Sequence, residues 1–246
     1  MEVVSDLEET PHRGVSLLAE WLKGKGFSLF SVMDPEEWPN SLRAQFRSLN
    51  IGLPKGCRIV LIGSAGGRLW EIIQKNHWIE PDPIDRYTIN TVEELRKNKW
   101  SSTKIDWLYP GTLPVPLQQL SRQAGWSHSS LLGLDISPKF GTWFACRAAF
   151  VINLNIDCTS KNETQSPCDT CIKKPCLPKC PAGAVRDIDT FGLNECGSYR
   201  VLDDSPCNYQ CLARLACPIG TSWRYTKEQM DYHGKIALTG LKNFYS

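Results

Sequence analysis

The chain carries almost no net charge: 28 Lys and Arg stand against 26 Asp and Glu, a formal balance of +2 over 246 residues. So even a balance gives no electrostatic reason to bind nucleic acid or an anionic membrane. No uninterrupted apolar stretch approaches the ~20 residues that cross a bilayer. RIVLIG and AAFVINLNI are short enough to be buried strands. The N-terminal MEVVSDLEETPHRG is acidic and lacks the basic and apolar regions of a secretory signal. A cytoplasmic protein that meets neither membrane nor nucleic acid is the expectation. GSAGG, residues 63–67, lacks a full G-x-G-x-x-G and any G-K-[ST], so it reads as a tight turn between strand and helix.

Cysteine is nearly missing from the first 157 residues, where only Cys57 and Cys146 occur; nine more then fall between Cys158 and Cys217. Eleven thiols cannot all pair within one chain, and a reducing compartment keeps them free, so disulfides are not expected. Cys57 and Cys146 lie beside predicted strands and read as buried apolar fillers. Cys158 receives no role. The break in composition divides the chain into a core at residues 1–157, a cysteine-rich module at 158–222 and a helical tail at 223–246.

At 41% hydrophobic residues the core has ordinary globular composition. GVSLLAEWLKGKG and INTVEELRKNKW have helical periodicity, the second with acids early and bases late, as the helix dipole favours. CRIVLIG reads as a buried strand, FGTWFACRAAFVINLNI, residues 140–156, contains a long strand, and LPVPLQQLSRQAGW reads as a loop entering a helix. Mixed strands and helices predict an α/β or α+β fold. In the tail, Thr226 is placed to cap the last helix.

The module reads Cys168-x2-Cys171-x4-Cys176-x3-Cys180-Pro, then Cys196, then Cys207-x3-Cys211-x5-Cys217-Pro. Eight cysteines make two sets of four, the number that a [4Fe–4S] cluster requires. A run ending in Cys-Pro sends its last cysteine to the other cluster, and the proline helps turn the chain away. The spacing thus assigns Cys168, Cys171, Cys176 and Cys217 to one cluster, and Cys180, Cys196, Cys207 and Cys211 to the second. Structural zinc also uses four cysteines with C-x2-C knuckles and is the competing reading. The four-residue gap holds Lys173, Lys174 and Pro175, a solvated turn that would also suit an acidic electron donor.

From residue 114 onward the chain resembles the epoxyqueuosine reductases. The match runs through PLQQLSRQAGWSHSSLLGLDISPKFGTWFACRAAFVINL and the eight cysteines, with ECGSYR around Cys196 resembling that family's isolated fifth cysteine. ISPKFGTWFACRAAF and RYTKEQMDYH…ALTGL are similar to segments of the cytosolic protein that decyanates and dealkylates vitamin B12. The resemblance implies a nitroreductase-like core that holds a corrinoid, as in the related reductive dehalogenases, followed by a dicluster ferredoxin-like module with the pairing given above. The chain fits best among small ferredoxin-like proteins related to these families.

On that resemblance the 125–150 segment faces the cofactor, a corrinoid in preference to a flavin. Its candidate contacts are His128, Phe140, Gly141 and Trp143. His128 would ligate cobalt or carry a proton, against the plainer reading of a loop histidine. Phe140 and Trp143 would wall a flat macrocycle, against plain core packing. One departure limits the analogy. WLYPGTLPVP has no acid between Trp107 and Pro116 where the reductases keep their catalytic aspartate, and Asp106 lies too early. Catalytic residues are therefore unassigned, and epoxide reduction on tRNA is not expected. The readings that follow are a redox protein passing electrons through two clusters to a bound cofactor, as a corrinoid-dependent reductase; a non-enzymatic electron carrier or cobalamin chaperone; and a zinc-stabilised interaction module. Expected partners are a small-molecule cofactor or substrate and an electron donor such as ferredoxin or flavodoxin.

Overall fold

Apolar residues three and four positions apart make helix α1 (Pro11–Gly24), which buries Leu18 and Leu22. This computed structural model describes residues 11–76, 82–101, 103–187 and 190–245. After α1 come β1 (Leu29–Met33), α2 (Asn40–Ser48), β2 (Arg58–Ala65), α3 (Arg68–Lys75) and α4 (Pro83–Lys99). Then follow β3 (Ile105–Tyr109), α5 (Leu117–Gln123), the short strands β4 (His128–Ser129) and β5 (Asp135–Ile136), and β6 (Phe144–Ile152). The C-terminal part holds α6 (Leu193–Arg200), α7 (Leu212–Ala216) and α8 (Lys227–Tyr245). The mixed α/β expectation agrees with this order.

Four strands form one sheet in the order β1-β2-β6-β3. β1 pairs antiparallel with β2, Leu29 opposite Gly63, and β3 antiparallel with β6, Ile105 opposite Ile152. The two central strands are buried along nearly their whole length, which is why they read as continuous apolar runs instead of alternating ones. The long strand expected within 140–156 is β6, whereas α4 starts at Pro83, earlier than the INTVEELRKNKW pattern suggested. Proline at the first helical position needs no hydrogen-bond partner, so it opens the helix without cost. At the other end of the chain, Thr226 Oγ1 accepts from the Gln229 amide at 3.2 Å, which is the cap read from the sequence.

The chain forms two compact units. The first gathers the described residues up to 64, then 72–124 and 146–161. Phe150 is packed between Trp100 and Trp107, with ring centroids 6.3 and 5.6 Å away. The chain beyond β6 returns to β1, where the Thr159 amide donates to the Val32 carbonyl at 2.9 Å. The second unit gathers 65–71, 125–145 and the chain from 162 onward. Here α8 crosses the Tyr209 backbone at Gly234, where an added Cβ would sit 2.2 Å from the Tyr209 carbonyl oxygen. Trp70 packs on Tyr232 of α8 at 4.8 Å.

Candidate metal centre

All eight cysteines assigned by spacing lie in the second unit, seven of them on loops, turns or helix caps. The Cys171 amide donates to the Cys168 carbonyl and the Cys180 amide to the Leu177 carbonyl, both at 3.3 Å. Between these two turns Lys174 takes a left-handed φ of 35° and forms an ion pair with Asp187. Cys196 lies within α6. The five-residue helix α7 carries Cys211 at its N-cap and Cys217 at its C-cap, so one short helix spans the two proposed sets. The Cys211 sulfur serves as the cap itself, accepting from the Arg214 amide at 3.4 Å.

Two cavities sort the thiols. Cys168, Cys171, Cys176 and Cys217 line a small one of 30 Å³, together with Ile136, Lys174 and Pro218. Cys180, Cys196, Cys207 and Cys211 line a larger one of 420 Å³. No cysteine belongs to both, and the division is the one that the two Cys-Pro steps suggested. Leu132 lines both cavities and is packed with Val185 and Ala213, an apolar wall that Cys176 and Cys180 touch.

The electrostatics divide in the same way. Burial pushes the Cys168 thiol above its ordinary range, and Cys217, Cys176 and Cys171 push it further. Burial likewise raises Cys196, with added repulsion from Cys211, Cys180 and Cys207. Arg200 opposes this at Cys196 and Cys207, and Arg224 opposes it at Cys217. Burial first, and neighbouring thiols after it, thus disfavour the thiolate at Cys168 and Cys176 on one side and at Cys196 and Cys207 on the other, a cost that added positive charge would offset. Among the described residues, no group of three or more His, Cys, Asp or Glu side chains is arranged to hold a single metal ion. The thiols are found along the walls of the two cavities.

No family model matches the chain, and no curated protein sequence matches it. Solved structures do. Its fold is that of the epoxyqueuosine reductases. The Bacillus subtilis enzyme matches with a TM-score of 0.59 and 16% identity, over 87% of this chain and 67% of that one. An epoxyqueuosine reductase bound to a modified tRNA stem loop matches at 0.62 and 17%, over 93% and 71%. The B12-trafficking protein CblC of C. elegans matches at 0.52 and 14%, over 93% of each chain.

Within this reductase-like fold, Phe140, Gly141 and Trp143 come together inside the second unit. Phe140 meets Trp223 edge-on at 4.8 Å. Gly141, with φ 59°, lies against the Ile219 backbone just beyond the Cys217–Pro218 step. Trp143 is fully buried, lines the larger cysteine cavity and carries the Arg214 guanidinium over its ring. His128 shares none of these contacts; its Nε2 bonds the Thr164 hydroxyl at 2.9 Å on the surface. Sequence reasoning passed over Arg200 and Arg214. Their spacing between the cysteines of 196–217 was visible, but an arginine on a short helix gives no sign that it turns inward.

Cys57 is wholly buried, as a filler should be. The Cys146 sulfur, half-buried, lies 3.8 Å from the Leu117 carbonyl. Buried Arg147 on β6 donates to Ser64 on β2 at 2.9 Å, and its charge acts on Asp85 at the start of α4. Burial raises the Asp85 carboxyl, and burial followed by Asp85 raises the Tyr109 phenol. An acid thus lies electrostatically close to the WLYPG stretch, though it comes from a different element.

Proposed function

We propose that this chain is an iron–sulfur redox protein with two [4Fe–4S] clusters. Cys168, Cys171, Cys176 and Cys217 hold one; Cys180, Cys196, Cys207 and Cys211 hold the other. The observation that carries this reading is the separation of eight thiols into two cavities, four to each. Iron–sulfur clusters supply one-electron storage at potentials set by charge, hydrogen bonds and exposure. The chain's own residues provide the setting. The Arg214 amide donates to the Cys211 sulfur, Arg200 and Arg224 offset the thiolate charge, and Leu132, Val185 and Ala213 form a dry partition between the sites. The 158–222 stretch then acts as a ferredoxin-like module joined to a nitroreductase-like core, with the tail α8 packed against it.

The electrons would leave for a bound cofactor, a corrinoid by likeness to the B12-trafficking fold and the reductases. A second reading is a carrier without turnover, either an electron shuttle or a cobalamin chaperone. It is favoured by the acid missing from WLYPGTLPVP and by the match to the trafficking protein over 93% of each chain. Anaerobic purification followed by joint analysis of iron, sulfide, cobalt and flavin tests the first reading. Iron and sulfide in equal amounts, with absorbance near 400 nm, are expected; zinc in a colourless protein would refute it. Titration with cobalamin then separates the two: a shifted cobalt spectrum supports a corrinoid enzyme or chaperone, and no binding leaves a shuttle. The even charge balance argues against a tRNA ligand, and the stem loop held by one neighbour supplies the probe for that test.

A further inference from the structure

Between Cys171 and Cys176 the chain makes a four-residue excursion, Ile172-Lys173-Lys174-Pro175. Ile172 is 97% exposed, the most exposed of the large apolar side chains among the described residues. A lone exposed apolar residue is ordinary; this one sits on a loop whose two ends are the thiols of one proposed site. The loop is also held in place. The Ile172 amide donates to the Thr170 carbonyl at 3.1 Å, the Leu177 amide to the Lys174 carbonyl at 3.0 Å, and Lys174 is tied to Asp187. Lys173 and Lys179 are exposed, and from Cys168 to Cys180 three lysines face a single acid, Asp169.

We propose that this loop is the docking surface for a small acidic protein that carries single electrons, with Ile172 as the apolar contact and Lys173 and Lys179 as the steering charges. The proposal rests on the cluster reading above. Its argument is charge complementarity and placement. A basic rim attracts an acidic partner and speeds encounter, while a central apolar side chain supplies the desolvated contact that holds the pair together. A carrier seated on Ile172 is one residue from Cys171, which brings it beside a proposed ligand of the first set. In the step itself one electron leaves the reduced carrier, which becomes oxidised by one unit, and enters the centre held by Cys168, Cys171, Cys176 and Cys217. No proton or bond changes hands.

The test uses the full-length protein prepared anaerobically, reduced flavodoxin as the acidic carrier, and reduced methyl viologen as a small donor that needs no docking. Stopped-flow reduction is followed for the wild type, Ile172→Asp and Lys173→Glu/Lys179→Glu. With flavodoxin at low salt, each variant should be slowed about tenfold or more, and the salt dependence of the lysine variant should flatten. Reduction by methyl viologen and the iron content should not change. Unaltered flavodoxin rates in both variants would overturn the docking surface while the clusters stand. A wild-type protein without iron would overturn the cluster reading and the docking with it. Because the substituted side chains are exposed, folding is not at stake, and iron content confirms this for each variant.

Discussion

The Arg214 guanidinium lies 4.1 Å from the centroid of the Trp143 ring. Its Nε donates to the Thr142 hydroxyl at 3.1 Å, and its far nitrogen donates to the Thr142 carbonyl. Tyr225 closes the stack, edge-on to Trp143 at 5.4 Å. A cation this deep is tolerable only because a π-face and two oxygens replace its water. Burial accordingly pulls the Arg214 pKa below its ordinary value, with Tyr225 and Cys211 opposing. Arg214→Ala should destabilise the protein by about 2–4 kcal/mol, from the lost cation–π contact and the orphaned Thr142 carbonyl. Arg214→Lys should recover only part of this, since lysine cannot stack flat and bond Thr142 together. Denaturant unfolding of the three proteins, anaerobically and side by side, measures both differences.

The partition of thiols makes a sharper forecast. If each cavity holds its own four-iron unit, Cys171→Ala should lower iron from about eight to about four per chain, and Cys196→Ala should do the same. Cys171→Ala/Cys176→Ala, within one set, should be no worse than either alone. Cys171→Ala/Cys196→Ala, across sets, should remove nearly all iron. Elemental analysis with EPR of the reduced proteins reads the outcome, and a within-set double variant that loses everything would break the proposed pairing.

Much of the proposed site was legible in the sequence because cysteine ligation is a matter of residue type and order. Cys180-Pro181 and Cys217-Pro218 suggested an exchange of ligands between sets, and α7 runs from Cys211 of one proposed set to Cys217 of the other. The central strands were legible from their apolar runs and Thr226 from its place before a periodic stretch. What could not be read was anything that depends on two distant segments meeting. Arg214 against Thr142, Gly141 against Ile219, and Asp85 near Arg147 join residues 62 or more positions apart, and no local pattern marks them. The start of α4 was missed because Pro83, a signal of helix opening, precedes a polar stretch with weak periodicity.

Asp85 offers a pH test. Its carboxyl is raised above 3.8 chiefly by burial, with Asp82 adding to the rise and Arg147 opposing it. Tyr109 on β3 and Cys146 beside Arg147 on β6 complete the group. A raised folded pKa means that the protonated form is favoured on folding. The contribution is therefore fully present below 3.8 and lost as pH climbs through the folded value. Asparagine does not titrate. Asp85→Asn should thus gain stability relative to wild type as pH rises from 4 to 7, with the difference level thereafter. Paired denaturant curves across that range check the slope, and a difference independent of pH would show Arg147 already holding the carboxylate charged.

Two glycines with nearly the same φ make the last test. Gly141 has φ 59° and Gly183 φ 62°. An added Cβ at Gly183 meets nothing within 4 Å, whereas at Gly141 it would sit 2.1 Å from the Ile219 carbonyl oxygen. Gly183→Ala should cost about 1 kcal/mol, the strain of a left-handed alanine alone. Gly141→Ala adds a clash with backbone that has no rotamer to yield, so it should cost upwards of about 3 kcal/mol. The clash also has a direction. Ile219 follows Cys217 by two residues, so the segment that must retreat is the one that carries a proposed ligand of the first set. Gly141→Ala should therefore lose iron from the site of Cys168, Cys171, Cys176 and Cys217 before the other, visible as one EPR signal fading while the second persists. Equal loss from both sites would mean that the strain spreads through the Leu132 wall instead of stopping at Cys217.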